Sequence, residues 1–206
     1  MQHIDEISDK QRIADHNRAI NLARAWWYEN PLFLDTETTG LDFCAEACDL
    51  AIIEKSGQVR FNSLINPTLP MPEEATAIHG ITAADLSGCK GMNYYWHRIQ
   101  DILSGRFLCG YNLGYDLRIL YASAAAWHID PGVCLFGAGD VMQLYAMFVG
   151  DWDDYRHNYR WWKLGQAAEQ CGIASDQTLH RALADAELTR QIIYYLACQL
   201  LVGNGK

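Results

Sequence analysis

Asp35 and Glu37 lie in the run Asp35-Thr36-Glu37-Thr38-Thr39-Gly40, which follows directly on the apolar stretch Leu32-Phe33-Leu34. Side chains alternate along a strand, so these two carboxylates project from one face of its end. Two such groups repel unless something positive lies between them. A divalent cation is the natural partner, and hard oxygen ligands suit Mg²⁺ or Mn²⁺. Taken alone, a D-x-E pair is equally a polar strand end that runs into a Thr-rich loop.

Two further groups of residues offer matching chemistry. Tyr111-Asn112-Leu113-Gly114-Tyr115-Asp116 begins where another apolar strand ends. Asn112 can cap the helix that follows, and an acid in a first helical turn is favoured by the helix dipole. That dipole alone is a sufficient reason for Asp116. His180-Arg181-Ala182-Leu183-Ala184-Asp185 is the third group. Five residues within one helix differ by roughly 140° of rotation. His180 and Asp185 therefore converge only if His180 sits in the loop before the helix. A histidine so placed can accept a proton from a water near neutral pH. A polar residue near a helix start is its plainer reading.

The elements that would position these groups can be read from pattern. Residues 8–28 suit a helix, with Ser8 and Gln11 as a capping box and Ile13, Ile20 and Trp27 as an apolar stripe. Pro31 ends it. Strands are expected at Leu32–Leu34, near 49–55 and 58–65 around a Ser56-Gly57 turn, at 107–111 and at 133–136. Helices are expected at 93–103, 113–127, 141–148 with Asp140 as cap, 163–171 closed by Gly172, and 182–201. Residues 66–89 read as loop with short helical turns. Alternating strands and helices imply an α/β domain around a mixed sheet. The division expected is a helical extension over 1–30 and one domain over 31–206.

Composition narrows the setting. Half of the 206 residues are hydrophobic and the net charge is −9. Such acidity argues against holding nucleic acid by phosphate neutralisation alone. Each divalent ion held by the carboxylates would offset two of those charges. The seven cysteines are scattered, with no C-x-x-C pair, so neither zinc nor a disulfide framework is expected. No apolar run approaches the roughly 18 residues that span a bilayer, and the polar N-terminus does not resemble a secretory signal. The expected setting is the cytoplasm, without membrane association.

In order and spacing, DTETTG, NLGYD and HRALAD resemble the three exonuclease motifs of the DnaQ-like DEDDh superfamily. That superfamily includes polymerase proofreading subunits, exonuclease X, RNase T and oligoribonucleases. Ala77–Thr82 (AIHGIT) and residues 163–173 look like the loop and helix between those motifs, so the resemblance covers about 32–200. His180 stands five before Asp185, as in the His subtype, while Arg181 stands where the other subtype has Tyr. Tyr115 departs from a usual Phe.

The resemblance implies an RNase H-like mixed sheet flanked by helices, with an extra N-terminal helix. It also implies a hydrolase that removes 5′-mononucleotides from the 3′ end of a strand with two divalent cations, Mg²⁺ or Mn²⁺, about 4 Å apart. Asp35, Glu37, Asp116 and Asp185 would be the metal ligands, with Asp35 bridging, and His180 the general base. Thr38, Thr39, Leu41, His79 and Ile81 would meet the terminal nucleotide, with Asn112 and Tyr115 beside them. For Leu41 and Ile81, packing is an equal alternative. DNA with single-stranded or frayed ends is the expected substrate. RNA is the alternative, and a non-catalytic binding subunit of a replication or repair complex is a further one. A homodimer or a polymerase or repair partner is compatible with the chain. Residues 152–162 mix aromatic and basic side chains that could either cover a core or contact bases.

Overall fold

The computed structural model describes residues 7–174 and 180–203. A helix, α1 (Asp9–Tyr28), leads into β1 (Leu32–Thr38), β2 (Ala47–Glu54) and β3 (Val59–Leu64). Short helices α2 (Glu73–His79) and α3 (Ala83–Leu86) precede α4 (Met92–Leu103) and β4 (Phe107–Gly110). Then come α5 (Leu113–Ala126), β5 (Gly137–Asp140) and α6 (Val141–Val149). A small hairpin of β6 (Trp152–Asp153) and β7 (Asn158–Tyr159) is followed by α7 (Leu164–Gln170) and α8 (Ala182–Cys198). Among the described residues no helix is long and apolar enough to cross a membrane.

The five-stranded sheet runs β3-β2-β1-β4-β5, with β2 antiparallel to β1 and β4 parallel to it. β1 and β2 are covered on both faces, which explains their near-continuous apolar text. Alternation sorts the side chains. Leu32, Leu34, Leu50 and Ile52 meet Trp96 and Ile99 of α4 and Ile119 of α5 on one face. Phe33, Ala51 and Ile53 meet Ala19 of α1 and Ile192 of α8 on the other. Asp35, Glu37 and Asp49 continue that second face, so the row of apolar residues turns acidic at the strand ends.

Three local readings are corrected. The strand expected at 133–136 lies instead at Gly137–Asp140, in a sequence whose glycines weaken any strand signal. The glycines are there because rings lie flat on the backbone. A Cβ on Gly139 would meet Trp26 at 2.7 Å, and one on Gly137 would meet Phe107 at 2.8 Å. Ser8 does cap α1, accepting from the Gln11 amide at 3.2 Å, but the Gln11 side chain turns to Asp15 and leaves the box half made. Asn112 stands at the start of α5 in the left-handed region (φ 66°) and its side chain caps nothing. Asp140 instead receives the Asn112 amide, together with those of Met142 and Gln143.

α1 is built into this body. Ala19, Ile20 and Ala23 are fully buried, and Arg24 reaches the Ala197 and Gln199 carbonyls. The 152–162 segment also packs on α1: Tyr159 donates to Asp15 at 2.7 Å and its ring meets Trp152 edge-on. Trp161 remains half exposed.

Candidate active site

The acidic end of β1 is where three chain segments meet. Glu37, His180 and Asp185 each place a ligand atom within 4.8 Å of the others. α8 brings Asp185 into its first turn, and His180 lies just outside that helix in a left-handed conformation (φ 74°). This is the loop-then-helix geometry that convergence of the two requires. Asp116 arrives from α5 on the opposite face, where its Oδ1 accepts from the Thr36 amide (3.0 Å) and hydroxyl (2.7 Å). Asp35 lies between, on the same strand face as Glu37.

The electrostatics record this convergence. Burial first, then the charges of Asp116, Asp185, Glu37 and Asp49, hold the Asp35 carboxyl well above the usual carboxylate range. Burial and then Asp185 push Glu37 up to about 8. Burial also raises Asp116, against the pull of its Thr36 hydrogen bonds, and raises Asp185, against the pull of His180. Carboxyls that lift one another this way form a site short of positive charge. Among the described residues, Asp185 Oδ1 is buried without a hydrogen-bond partner. A compact set of hard oxygens plus one imidazole, with an unpartnered oxygen on Asp185, fits a divalent cation of the Mg²⁺ or Mn²⁺ kind.

Beside the cluster lies a cleft of about 530 Å³, walled by the Thr36–Asp42 loop, Pro72, Ile78, His79 and Tyr115. Leu41 stands at its rim, 83% exposed, and Phe43 is equally free beyond it. The loop carrying them is braced from α5. The Thr38 hydroxyl and the Tyr115 phenol share a hydrogen bond of 2.8 Å, and both reach the Gly40 carbonyl. That gives the Tyr115 hydroxyl a structural role. Arg118 donates to the Asp42 and Leu41 carbonyls and lies over the rings of Tyr115 and Phe43. A second cleft on the other side is lined by Lys163, Gln166, His180 and Asp185.

Of the other expected contact residues, Thr39 and His79 line the first cleft and Ile81 and Asn112 do not. Ile81 is buried with Cys48 and Leu86, so it packs behind the cleft. His79 lines the cleft, yet both ring nitrogens are committed: Nδ1 accepts from the Ile81 amide (3.0 Å), which leaves Nε2 to face the Thr38 carbonyl (3.3 Å). The Thr39 amide and hydroxyl are tied to Glu46. Asn112 is not among the residues lining the first cleft.

Glu46 and Asp49 were missed in the sequence. The buried Glu46 carboxylate receives the Thr68 and Leu69 amides and the Thr68 hydroxyl, pinning the loop after β3. Asp49 pairs with Glu37 across β1 and β2 and holds Arg181. Neither shows in the sequence as more than an acid near an apolar run.

Comparisons with known proteins agree with this geometry. The RNase_T exonuclease family model matches residues 32–193. An uncharacterized exonuclease of Escherichia phage 186 is 36% identical over 183 residues, covering 85% of this chain and 92% of the phage protein. A DNA polymerase III subunit epsilon-like protein of Rhodobacter capsulatus is 33% identical over 94 residues, which span 42% of this chain and 13% of that protein. In structure, the nuclease domain of 3′hExo, a DEDDh family member bound to rAMP, superposes with a TM-score of 0.64 at 14% identity, over 82% of this chain and 92% of that one. Exonuclease X in complex with 5′ overhanging duplex DNA gives 0.58 at 20% identity, over 80% and 89%. A DEDDh-type arrangement on an RNase H-like sheet, carried by a chain that the family model covers from β1 into α8, places this protein in the RNase_T exonuclease family, as a hydrolytic exonuclease.

Proposed function

We propose that the protein is a 3′→5′ exonuclease that releases 5′-mononucleotides from the 3′ end of DNA, favouring single-stranded or frayed ends. The convergence of Glu37, His180 and Asp185 within 4.8 Å carries this reading, with Asp35 and Asp116 beside them and an open cleft alongside. Asp35, Glu37, Asp116 and Asp185 would hold two divalent cations. Bound there, the cations would supply positive charge to clamp the scissile phosphate and ease departure of the 3′-oxygen.

The chain's own residues do the rest. His180, outside the helix and exposed, accepts a proton from the attacking water. The water oxygen bonds to phosphorus, the bond from phosphorus to the 3′-oxygen breaks, and that oxygen takes a proton from solvent water to become the new 3′-hydroxyl. Leu41 and Phe43 offer apolar surface to a terminal base, held in place by Tyr115 and Arg118. The cleft is open, and a single unpaired end suits it better than an intact duplex. The exonuclease X and polymerase-subunit likenesses favour DNA, and the seven free thiols suit a reducing cytoplasm. The 3′hExo likeness is the observation that keeps RNA as a second reading.

The test is a time course on 3′-end substrates with Mg²⁺ or with EDTA: single-stranded DNA, duplex DNA with a 3′ mismatch, and RNA of the same sequence. An Asp35→Ala, Asp185→Ala double variant is the blank. Stepwise, EDTA-sensitive shortening from the 3′ end, fastest on single-stranded DNA, is expected. Faster loss of RNA would transfer the proposal to RNA, and inertness of folded, metal-loaded protein on every substrate would end it.

A further inference from the structure

Asp49 is a further buried acid at the site, outside all three motifs. It is 1% exposed and sits opposite Glu37 in the β1–β2 register. Its Oδ2 lies 3.0 Å from Arg181 Nε, while its Oδ1 has no partner among the described residues. Arg181 is held at both ends. Its guanidinium is pinned to β2 through Asp49, and its carbonyl accepts the Ala184 and Asp185 amides that open α8.

The residue directly before it is His180, whose left-handed backbone is unusual for a side chain with a Cβ. Such a conformation persists only where the surroundings fix it. Among the described residues, Arg181 gives Asp49 its one ion pair, and a buried carboxylate stripped of its cation is strongly unfavourable. The pair therefore anchors the end of the segment that carries the imidazole.

We propose that Asp49 and Arg181 are positioning residues for His180. Their ion pair fixes where the segment enters α8 and so holds the imidazole beside Glu37 and Asp185. The inference rests on the reading of His180 as proton acceptor.

A double-mutant cycle tests it. Single-turnover rates on 3′-labelled single-stranded DNA with Mn²⁺ are compared for the wild type, Asp49→Asn, His180→Ala and the double variant. His180→Ala should slow cleavage about 100-fold or more. Asp49→Asn should slow it about tenfold with the DNA concentration for half-saturation unchanged, and the double variant should be no slower than His180→Ala alone. Mn²⁺ affinity without DNA, by calorimetry, should fall no more than a few-fold for Asp49→Asn, since Asp49 adds only its charge to the field of the ion-holding acids. Arg181→Gln, at a half-exposed side chain, provides the same cycle should Asp49→Asn fail to fold.

Independent, multiplying losses, or no loss on breaking the pair, would overturn the positioning role while leaving His180 in place. A large drop in Mn²⁺ affinity would instead put Asp49 among the ion-holding acids and also overturn it. A fully active His180→Ala protein would bring down the proton-acceptor reading first, and this inference with it.

Discussion

A cluster of carboxyls that raise one another should weaken the fold whenever no cation is bound, and Glu37→Gln measures by how much. The Glu37 carboxyl is pushed from 4.5 to about 8, by burial first and then by Asp185 and Asp49. In the folded chain it keeps its proton across a range where the unfolded chain has released it. The folded state then binds more protons, so its stability falls as pH rises from 4.5 towards 8. Above that window the folded protein must carry the charge uncompensated. Conversion at about 1.4 kcal/mol per tenfold puts the ceiling near 5 kcal/mol. Water and side-chain relaxation in an open cleft reduces this to about 1–3 kcal/mol.

The isosteric amide removes that penalty. In EDTA at pH 8 the Glu37→Gln protein should therefore melt about 2–12 °C above wild type, using about 2–4 °C per kcal/mol for a chain of this size. The gain should shrink towards zero near pH 5, where both forms are uncharged at this position. Saturating Mn²⁺ should reverse the order, because the wild type gains binding energy that the variant lacks. Thermal melts at pH 5 and pH 8, each with EDTA and with Mn²⁺, give all four values. A Glu37→Gln protein that melts no higher than wild type at pH 8 in EDTA would refute the claim that these carboxyls strain one another.

Three other perturbations follow from packing. Gly139→Val drives a side chain into the Trp26 ring, 2.7 Å from where its Cβ must stand, and should lower stability by about 2–3 kcal/mol in denaturant melts. Tyr115→Phe removes the hydroxyl that reaches Gly40 and Thr38; it should lose about 1 kcal/mol of stability and raise KM for DNA more than it lowers kcat. Deleting residues 1–30 uncovers the Phe33 and Ile53 face of the sheet, and the truncated chain should be aggregated or molten by near-ultraviolet circular dichroism and size-exclusion chromatography.

Most helices and the central strands were legible because apolar residues recur along them and punctuation such as Ser8, Pro31 or Gly172 bounds them. The first strand and its two acids were legible for the same reason, as was the loop position of His180, which rotation about a helix demands. β5 was not: Gly137-Ala138-Gly139-Asp140 carries no strand propensity, and only the flat approach of Phe107 and Trp26 explains it. Asn112 has a capping side chain by type, but in its left-handed backbone that side chain does not cap α5, while Asp140 caps α6 and accepts the Asn112 amide. His79 illustrates the same limit. Its residue type suggests a ligand contact, and only the structure shows both nitrogens engaged by backbone groups forty-one and two residues away.

The residues hardest to read were acids that serve the backbone or another side chain. Asp49 and Glu46 lie within three residues of one another, both almost fully buried, one holding a guanidinium and the other three donors of a loop. Sequence text marks an acid as chemical when it recurs in a motif, yet burial is what makes these two consequential, because a buried carboxylate must be satisfied by whatever the fold brings to it. The active end of β1 therefore depends on two kinds of carboxylate. Those left short of positive charge are poised for cations, and those already paired hold the loops around them still. Which kind an acid becomes is decided by its neighbours across the sheet, and so by strand register: Asp49 faces Glu37 only because β2 runs antiparallel to β1 at this alignment, and a slip of one residue would turn it into the opposite core.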